Sequence, residues 1–531
     1  MSCYAVKHCC KTGVCLSLTC SQLSFKRYFF ITPKNMQQTV AQFVELSKKW
    51  FYGVESATPV FLANGKDIQV LTHPEEFYKE LLLQSSIANK RVSLASLYLG
   101  NGEKEEKLIQ VICDNLEKKE KPFKVNILLE YTRGSRGTKS SRTVLLPLKK
   151  HFGSTSTVAL FHTPNLRGIL KAIIPPRFDE TVNVSHVKAY VFDDTLILSG
   201  ANLSVDYFTN RQDRYIIFRN NKILCDYFQD LIKTISSFSF ALQSSGDVTF
   251  ALPHIHPYQG SKNGFNKFAN KQLCEFTERY KSQYSITDAI ESITQLNTLN
   301  STYDTLIFPL LQMKNMGITT DEKFTTNVLS TAPSNSNLTL ATAYFNLTDN
   351  YWSMLLNNHA QGVKLIMAHP KAMGFYNAPG LAGGVPNAYS LISKWRYKEL
   401  IKYNQYERIQ FLEFYREKWT FHGKGLWFYL QNSLDQNKNK NIFYSSDYED
   451  ICSPLLTLIG SPNFGKRSVY RDMEAQIGIV TVNKKLQFDL IQERNNMLKD
   501  TTIVNLETFD EEERKISWWV YLITKCMNDQ F

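Results

Sequence analysis

The chain has 531 residues, 43% of them hydrophobic and 21% charged, with a formal charge of +12 and a pI near 9.0. That length supports two domains or half-domains with an ample core, and the charge favours anionic partners such as acidic lipid or a phosphorylated substrate. No apolar run reaches the roughly 18 residues of a spanning helix, and the basic residues are dispersed, with no zinc or helix-turn-helix pattern, which speaks against nucleic acid.

From Met1 to Val44 there is no Asp or Glu, while Lys7, Lys11, Lys26, Arg27 and Lys34 alternate with Ser, Thr and aromatic residues. A basic, hydroxylated and acid-free leader is the composition of an organellar targeting segment, here 1–40. Half of the ten cysteines, Cys3, Cys9, Cys10, Cys15 and Cys20, fall within it, and the rest are scattered singly. Neither a disulfide framework nor a zinc site follows from that distribution.

Beyond the leader the pattern alternates. Arg91 to Tyr98 reads as a buried strand, Glu103 to Leu116 as an amphipathic helix and Lys124 to Glu130 as a second strand. The turn Gly100-Asn-Gly102 lacks the GK[ST] of a nucleotide loop and is read as an ordinary βα turn. Arg133 and Arg136 follow the strand ending at Glu130, at the carboxyl edge where α/β sheets bind ligands, and their guanidinium forks suit a phosphate.

His186-Val-Lys188 comes next, followed by Ala-Tyr-Val-Phe as strand, Asp193-Asp194 as turn and Thr195-Leu-Ile-Leu as the return strand. On a strand, residues two apart share a face at about 7 Å, so one phosphate could touch both His186 and Lys188. Asp193 is expected to reach back and hold one imidazole nitrogen. Ser199-Gly200-Ala201-Asn202 follows, and eleven residues after Asn202 stands Asp213.

The polar stretch from Ser236 to about Ser301 reads as a connection, after which the order recurs. Leu338 to Tyr344 is a strand, Asp349 to Asn357 a helix and Val363 to Ala368 a strand. Gly380 to Pro386 is expected to form a mobile flap, and the Asn- and Lys-rich segment 432–447 an exposed insertion. His422-Gly-Lys424 is the second His/Lys pair; Gly460-Ser461-Pro462-Asn463 follows, and eleven residues after Asn463 stands Glu474. Two halves that each carry His-x-Lys, a small-residue turn ending in Asn and a carboxylate at equal offset mark an internal duplication of a site. The chemistry is phosphoryl transfer: Lys neutralises charge on phosphoryl oxygens, and His serves as nucleophile or proton carrier. Near the end, Ile516-Ser-Trp518-Trp519-Val-Tyr521-Leu-Ile523 is suited either to a membrane interface or to a terminal helix packed on the body.

These residues resemble the phospholipase D superfamily, whose signature is a duplicated HxK(x)4D followed by GSxN. The segments Leu198 to Tyr215, Ala95 to Gly100, Tyr131 to Gly137 and His422 to Trp427 are similar, more narrowly, to its mitochondrial phosphatidylglycerophosphate synthase branch. Two departures stand out. Tyr429 occupies the place of the second Asp, so His422 is expected to borrow Glu474, or Asp213 from the opposite half, and Ser199-Gly200 inverts the usual order.

The resemblance implies an α/β fold of two phospholipase D-like halves about a pseudo-two-fold axis, each a mixed sheet flanked by helices, with the site at their interface. The halves are placed at 41–245 and 316–531, joined by 246–315. It implies transfer of the phosphatidyl group from CDP-diacylglycerol to glycerol 3-phosphate, giving phosphatidylglycerophosphate and CMP, the committed step toward phosphatidylglycerol and cardiolipin. His186 would be the nucleophile and His422 the acid/base, with Lys188, Lys424, Asn202, Asn463 and Ser461 around the phosphate and no metal or other cofactor. A phospholipase D-type hydrolase and a cardiolipin synthase of the same superfamily are the alternatives. Peripheral contact with an anionic membrane on the matrix side of the mitochondrial inner membrane is expected.

Overall fold

In a computed structural model, the structure describes residue 42 and residues 44–55, 57–120, 123–174, 179–294, 303–431 and 453–526. The targeting segment 1–40 and the insertion 432–447 lie outside the described residues. Strands of the amino-terminal part are β1 (Phe61–Ala63), β2 (Ile68–Leu71), β3 (Arg91–Ala95), β4 (Lys124–Glu130), β5 (Ser156–Phe161), β6 (Ala189–Phe192), β7 (Thr195–Ser199), β8 (Arg211–Gln212), β9 (Tyr215–Phe218), β10 (Phe240–Leu242) and β11 (Val248–Thr249). The remainder are β12 (Thr305–Met313), β13 (Ile318–Thr319), β14 (Ser336–Thr342), β15 (Gly362–Ala368), β16 (Ile409–Phe414), β17 (Thr420–Phe421), β18 (Gly425–Leu430), β19 (Pro454–Gly460), β20 (Glu474–Thr481) and β21 (Thr501–Ile503).

Among the described residues these strands build two large mixed sheets. One has the order β11-β10-β5-β4-β3-β6-β7-β9-β2 and the other β1-β12-β20-β19-β18-β14-β15-β16-β21. The parallel trio β3-β4-β5 matches β14-β15-β16, and the antiparallel run β6-β7-β9 matches β18-β19-β20, strand for strand. The duplication read from the motifs therefore extends through the whole architecture. The parallel strands are buried along most of their length, as expected for Val-, Leu- and Ile-rich runs covered on both faces.

The strand pairings depart from the expected boundaries. β12 lies inside 246–315 yet pairs with β20 over eight residue positions, and β1 leaves the amino-terminal part to join the second sheet. Pro309 inside β12 weakens the strand signal there. The connection also contains the 20-residue helix Lys262–Lys281, whose Phe265, Ala269, Leu273 and Phe276 at i, i+4, i+8 and i+11 form a buried stripe.

The halves share one core. Ala95, Phe161, Ala189, Ile216 and Phe228 from the first half pack in the same apolar cluster as Ile307, Ile366, Trp427 and Ile477 from the second. Between them Arg214 is fully buried, with Nε and Nη2 on Glu493 at 2.9 and 2.8 Å and its guanidinium 3.8 Å over the Trp427 ring. Gly425, at φ 143°, leaves room for it; a Cβ there would overlap Arg214 and the Leu458 carbonyl oxygen.

Candidate active site

Backbone pairing across the two halves builds the site. Ser185 bridges Met473, and the His186 N–H donates to the Met473 carbonyl at 2.8 Å. Met473 immediately precedes Glu474, so the pairing sets the two side chains together, with His186 Nδ1 2.9 Å from Glu474 Oε2. In the second half β17 pairs in parallel with β8, and the His422 N–H donates to the Gln212 carbonyl at 2.7 Å. Gln212 immediately precedes Asp213, and His422 Nδ1 lies 2.6 Å from Asp213 Oδ2. Each histidine is held by a carboxylate of the other half.

Asp193 does not orient His186. It sits in the β6-β7 turn at φ 50°, where its carboxylate accepts the backbone N–H groups of Asn89, Lys90 and Arg91 at 2.8, 2.7 and 3.0 Å. A strand four residues long separates it from Lys188, so it faces the far end of the sheet. Tyr429 lies in β18, buried beneath the Arg494 guanidinium, and the missing second Asp is of no consequence to His422. The expected inequality between the two histidines is replaced by near-equivalence.

His186 and Lys188 also stand just ahead of β6 rather than within it. Lys188 and Lys424 are buried, and their ammonium groups donate to the carbonyls of His186 and His422 at 2.9 and 2.7 Å. Lys424 Nζ is also 2.8 Å from His422 Nδ1. That nitrogen has one in-plane direction, which the shorter bond to Asp213 takes, so the lysine sits against the ring edge.

Burial dominates the electrostatics. It pulls His186 down to about 4 and His422 well below its ordinary value, the neighbouring lysines adding to the effect, so both rings are neutral at pH 7. A neutral ring that donates through Nδ1 keeps its lone pair on Nε2. Burial lifts Asp213 to about 6, opposed first by Lys424, and lowers Lys424 to about 8, opposed by Asp213 and Glu474. For Glu474, burial is outweighed by His186 and Lys188 beside it, and its carboxyl is held low. Lys188 is pushed well below its usual range by burial, and an anionic group beside it would favour the charged form.

The two asparagines differ. Asn202 Oδ1 accepts from Leu97 N at 3.3 Å and its Nδ2 donates to the Tyr207 hydroxyl at 3.0 Å, so it ties the end of β3 to the site. Asn463 Oδ1 is buried with no hydrogen-bond partner among the described residues, leaving that side of its carboxamide uncommitted. Ser461 and Ser199 both close turns: Ser461 Oγ donates to the Ala475 carbonyl at 3.2 Å and Ser199 Oγ to that of Arg214 at 2.6 Å.

Arg136 is committed to an acidic turn, bonding Asp179 at 2.9 Å and Glu180 at 2.6 Å. Arg133 stacks 4.1 Å over the Tyr98 ring, with Nε 3.7 Å from Glu180. Arg467 of the second half reaches the same turn, donating to the Glu180 carbonyl at 2.9 Å. Sequence reading missed Arg467 and an aromatic surround of His422. The Tyr207 hydroxyl lies 3.4 Å from His422 Nε2, the Tyr344 ring is 6.2 Å from the imidazole, and Arg211 stacks 4.4 Å over Tyr207. One signal was available: Tyr207 and Ser468 each stand five residues after the motif Asn, and each bonds that Asn.

No family model matches the chain. Over 500 residues it is 40% identical to the CDP-diacylglycerol–glycerol-3-phosphate 3-phosphatidyltransferase, mitochondrial, of Gallus gallus, covering 91% of this chain and 86% of that one. The chain belongs to the CDP-diacylglycerol–glycerol-3-phosphate 3-phosphatidyltransferase family. A Saccharomyces cerevisiae member of that family is 33% identical over 486 residues, 88% of each chain. The fold is also that of a solved phosphatidylserine synthase from Haemophilus influenzae, with a TM-score of 0.62, 17% identity, and coverage of 92% of this chain and 98% of that one. So the family's two-half α/β architecture is shared with a protein of quite different sequence.

Proposed function

We propose that the protein transfers the phosphatidyl group of CDP-diacylglycerol to glycerol 3-phosphate in the mitochondrion, at the matrix face of the inner membrane. The observation that carries the chemistry is the pair of histidines, each fixed through Nδ1 by a carboxylate of the opposite half. The substrates follow from the family, whose chicken and yeast members are named for them.

In the first step His186 Nε2 attacks the lipid-bearing phosphorus, a P–N bond forms, and the P–O bond to CMP breaks. CMP leaves as a phosphate anion and needs no proton from His422 at neutral pH. In the second step His422 Nε2 takes the proton of the glycerol 1-hydroxyl, the oxygen attacks the same phosphorus, and the P–N bond breaks to restore His186. Lys188, Lys424 and the Nδ2 amide of Asn463 donate to the non-bridging oxygens. His186 is the better nucleophile because its Nε2 is uncommitted among the described residues, whereas His422 Nε2 faces the Tyr207 hydroxyl. Arg133 is the guanidinium placed to take the acceptor's phosphate in exchange for Glu180.

No described helix is long and apolar enough to cross a membrane, and contact with the anionic bilayer is peripheral in this reading. The test is an acceptor panel: purified protein, CDP-diacylglycerol, and glycerol 3-phosphate, phosphatidylglycerol, serine or water. CMP release with phosphatidylglycerophosphate as product, dependent on glycerol 3-phosphate, is expected. Phosphatidic acid from water, or cardiolipin from phosphatidylglycerol, would assign a different transfer.

A further inference from the structure

The helix Gly168–Ile173 follows β5 and buries none of its residues. Ile169 is 80% exposed, Ile173 69% and Leu170 40%, so this six-residue helix carries three apolar side chains at i, i+1 and i+4 into solvent. Arg167 Nη2 donates to the Gly260 carbonyl at 2.8 Å and Lys171 sits 3.2 Å over the Tyr258 ring, and the two fix the helix to the first half.

A comparable surface rises from the second half. The turn Gly380–Gly384 follows β15 and packs against the carboxy-terminal helix Trp518–Cys526 through Trp519 and Val520. That packing leaves Leu381 57%, Trp518 76% and Leu522 50% exposed, with Trp518, Leu522 and Lys525 on one stripe of the helix. The stretch between β15 and this turn leads to the site, since Phe375 packs on Tyr344, which packs on His422.

Both surfaces leave the carboxyl ends of the parallel strands, the sheet edges that carry the site. We infer that they are the two prongs of one membrane-docking surface, which seats the cleft between them on an anionic bilayer. Apolar tips, with the exposed Lys525 beside the second, match the layered chemistry of such a surface, acyl chains below and anionic headgroups above. The inference rests on the proposed reading in one respect: a diacylglycerol substrate stays in the bilayer, so the cleft must open onto it.

The experiment uses the full chain and vesicles of phosphatidylcholine with and without phosphatidylglycerol, in a flotation assay. Ile169→Glu with Ile173→Glu, and separately Trp518→Glu with Leu522→Glu, should each reduce vesicle-bound protein by about tenfold or more, given the several buried methylenes each pair removes. Thermal midpoint and turnover of a short-chain, monomeric CDP-diacylglycerol should be unchanged, because these side chains touch neither core nor site. Wild-type-like flotation of both variants would overturn the inference. So would a loss of self-association on size exclusion with flotation intact, which would assign the prongs to a second copy of the chain. Absence of CMP release by the wild type from the short-chain substrate would instead count against the proposed reaction and leave the flotation result standing.

Discussion

Glu474 Oε2 lies 2.9 Å from Nδ1 of His186, a residue 288 positions earlier in the chain and in the other half of the molecule. Asp213 and His422 repeat the relationship in reverse, at 2.6 Å. Neither half can therefore assemble a working histidine alone. Glu474→Gln and Asp213→Asn should each lower kcat by about 100- to 10,000-fold, the range for losing an oriented acid/base or the partner that fixes its tautomer. Single-turnover CMP release separates them: Glu474→Gln should slow the first step, while Asp213→Asn should spare it and slow transfer to the acceptor.

Asp193, by contrast, should be dispensable for chemistry. Its carboxylate closes a turn by accepting three backbone N–H groups, and asparagine tolerates the same positive φ. Asp193→Asn should leave kcat within about threefold and cost about 1–3 kcal/mol of stability, as expected for weakening hydrogen bonds to a charged acceptor. Denaturant unfolding and steady-state kinetics on one preparation check both parts. A collapse of kcat in a stably folded variant would restore Asp193 to the site.

The contrast shows what could be read from the residues alone. Equal eleven-residue offsets from Asn202 to Asp213 and from Asn463 to Glu474 reveal the duplication, and hence the paired sheets, because spacing along the chain survives folding. Which carboxylate serves which histidine is fixed by β17 pairing with β8 and Ser185 with Met473, contacts between segments some 200 to 290 residues apart that leave no local pattern. Asp193 was misleading because it is near His186 in sequence while the intervening strand carries it away. Tyr344 and Arg467 carry no local signal of their own; Tyr344 meets His422 through packing within the second half, and Arg467 meets the Glu180 turn across the two halves.

The pH dependence should be bell-shaped. Asp213, raised to about 6 by burial, accepts the His422 Nδ1–H only when ionised, so kcat/KM for glycerol 3-phosphate should rise with pH through about 6. Lys424, lowered to about 8 by burial, must be protonated to neutralise a phosphoryl oxygen, so kcat/KM should fall above about 8. Bound anionic substrate favours the charged lysine, so the alkaline limb of kcat should lie at higher pH than that of kcat/KM. Lys424→Arg, if active, should remove the alkaline limb; its persistence would assign it to another group.

Arg214, next to Asp213, joins the halves through Glu493, Thr457 Oγ1 at 2.9 Å and the Leu458 carbonyl at 2.8 Å, with no exposed surface. Arg214→Met should destabilise the protein by about 3–5 kcal/mol, because Glu493 is left as a buried, unpaired charge. Replacing both, Arg214→Met with Glu493→Leu, should recover a large part of that loss. Equal instability of single and double variants would mean that the arginine's packing on Trp427 matters more than its charge.

The central claim, a covalent phosphatidyl-histidine on the first-half residue, is tested most directly in the His422→Ala variant. That variant should retain the nucleophile and lack the base for the second step. Mixed with CDP-diacylglycerol and glycerol 3-phosphate, it should release close to one equivalent of CMP per chain and then stall, with the phosphatidyl adduct found by mass spectrometry on His186. Sustained CMP release with no adduct, or an undiminished burst in a folded His186→Ala variant, would contradict it.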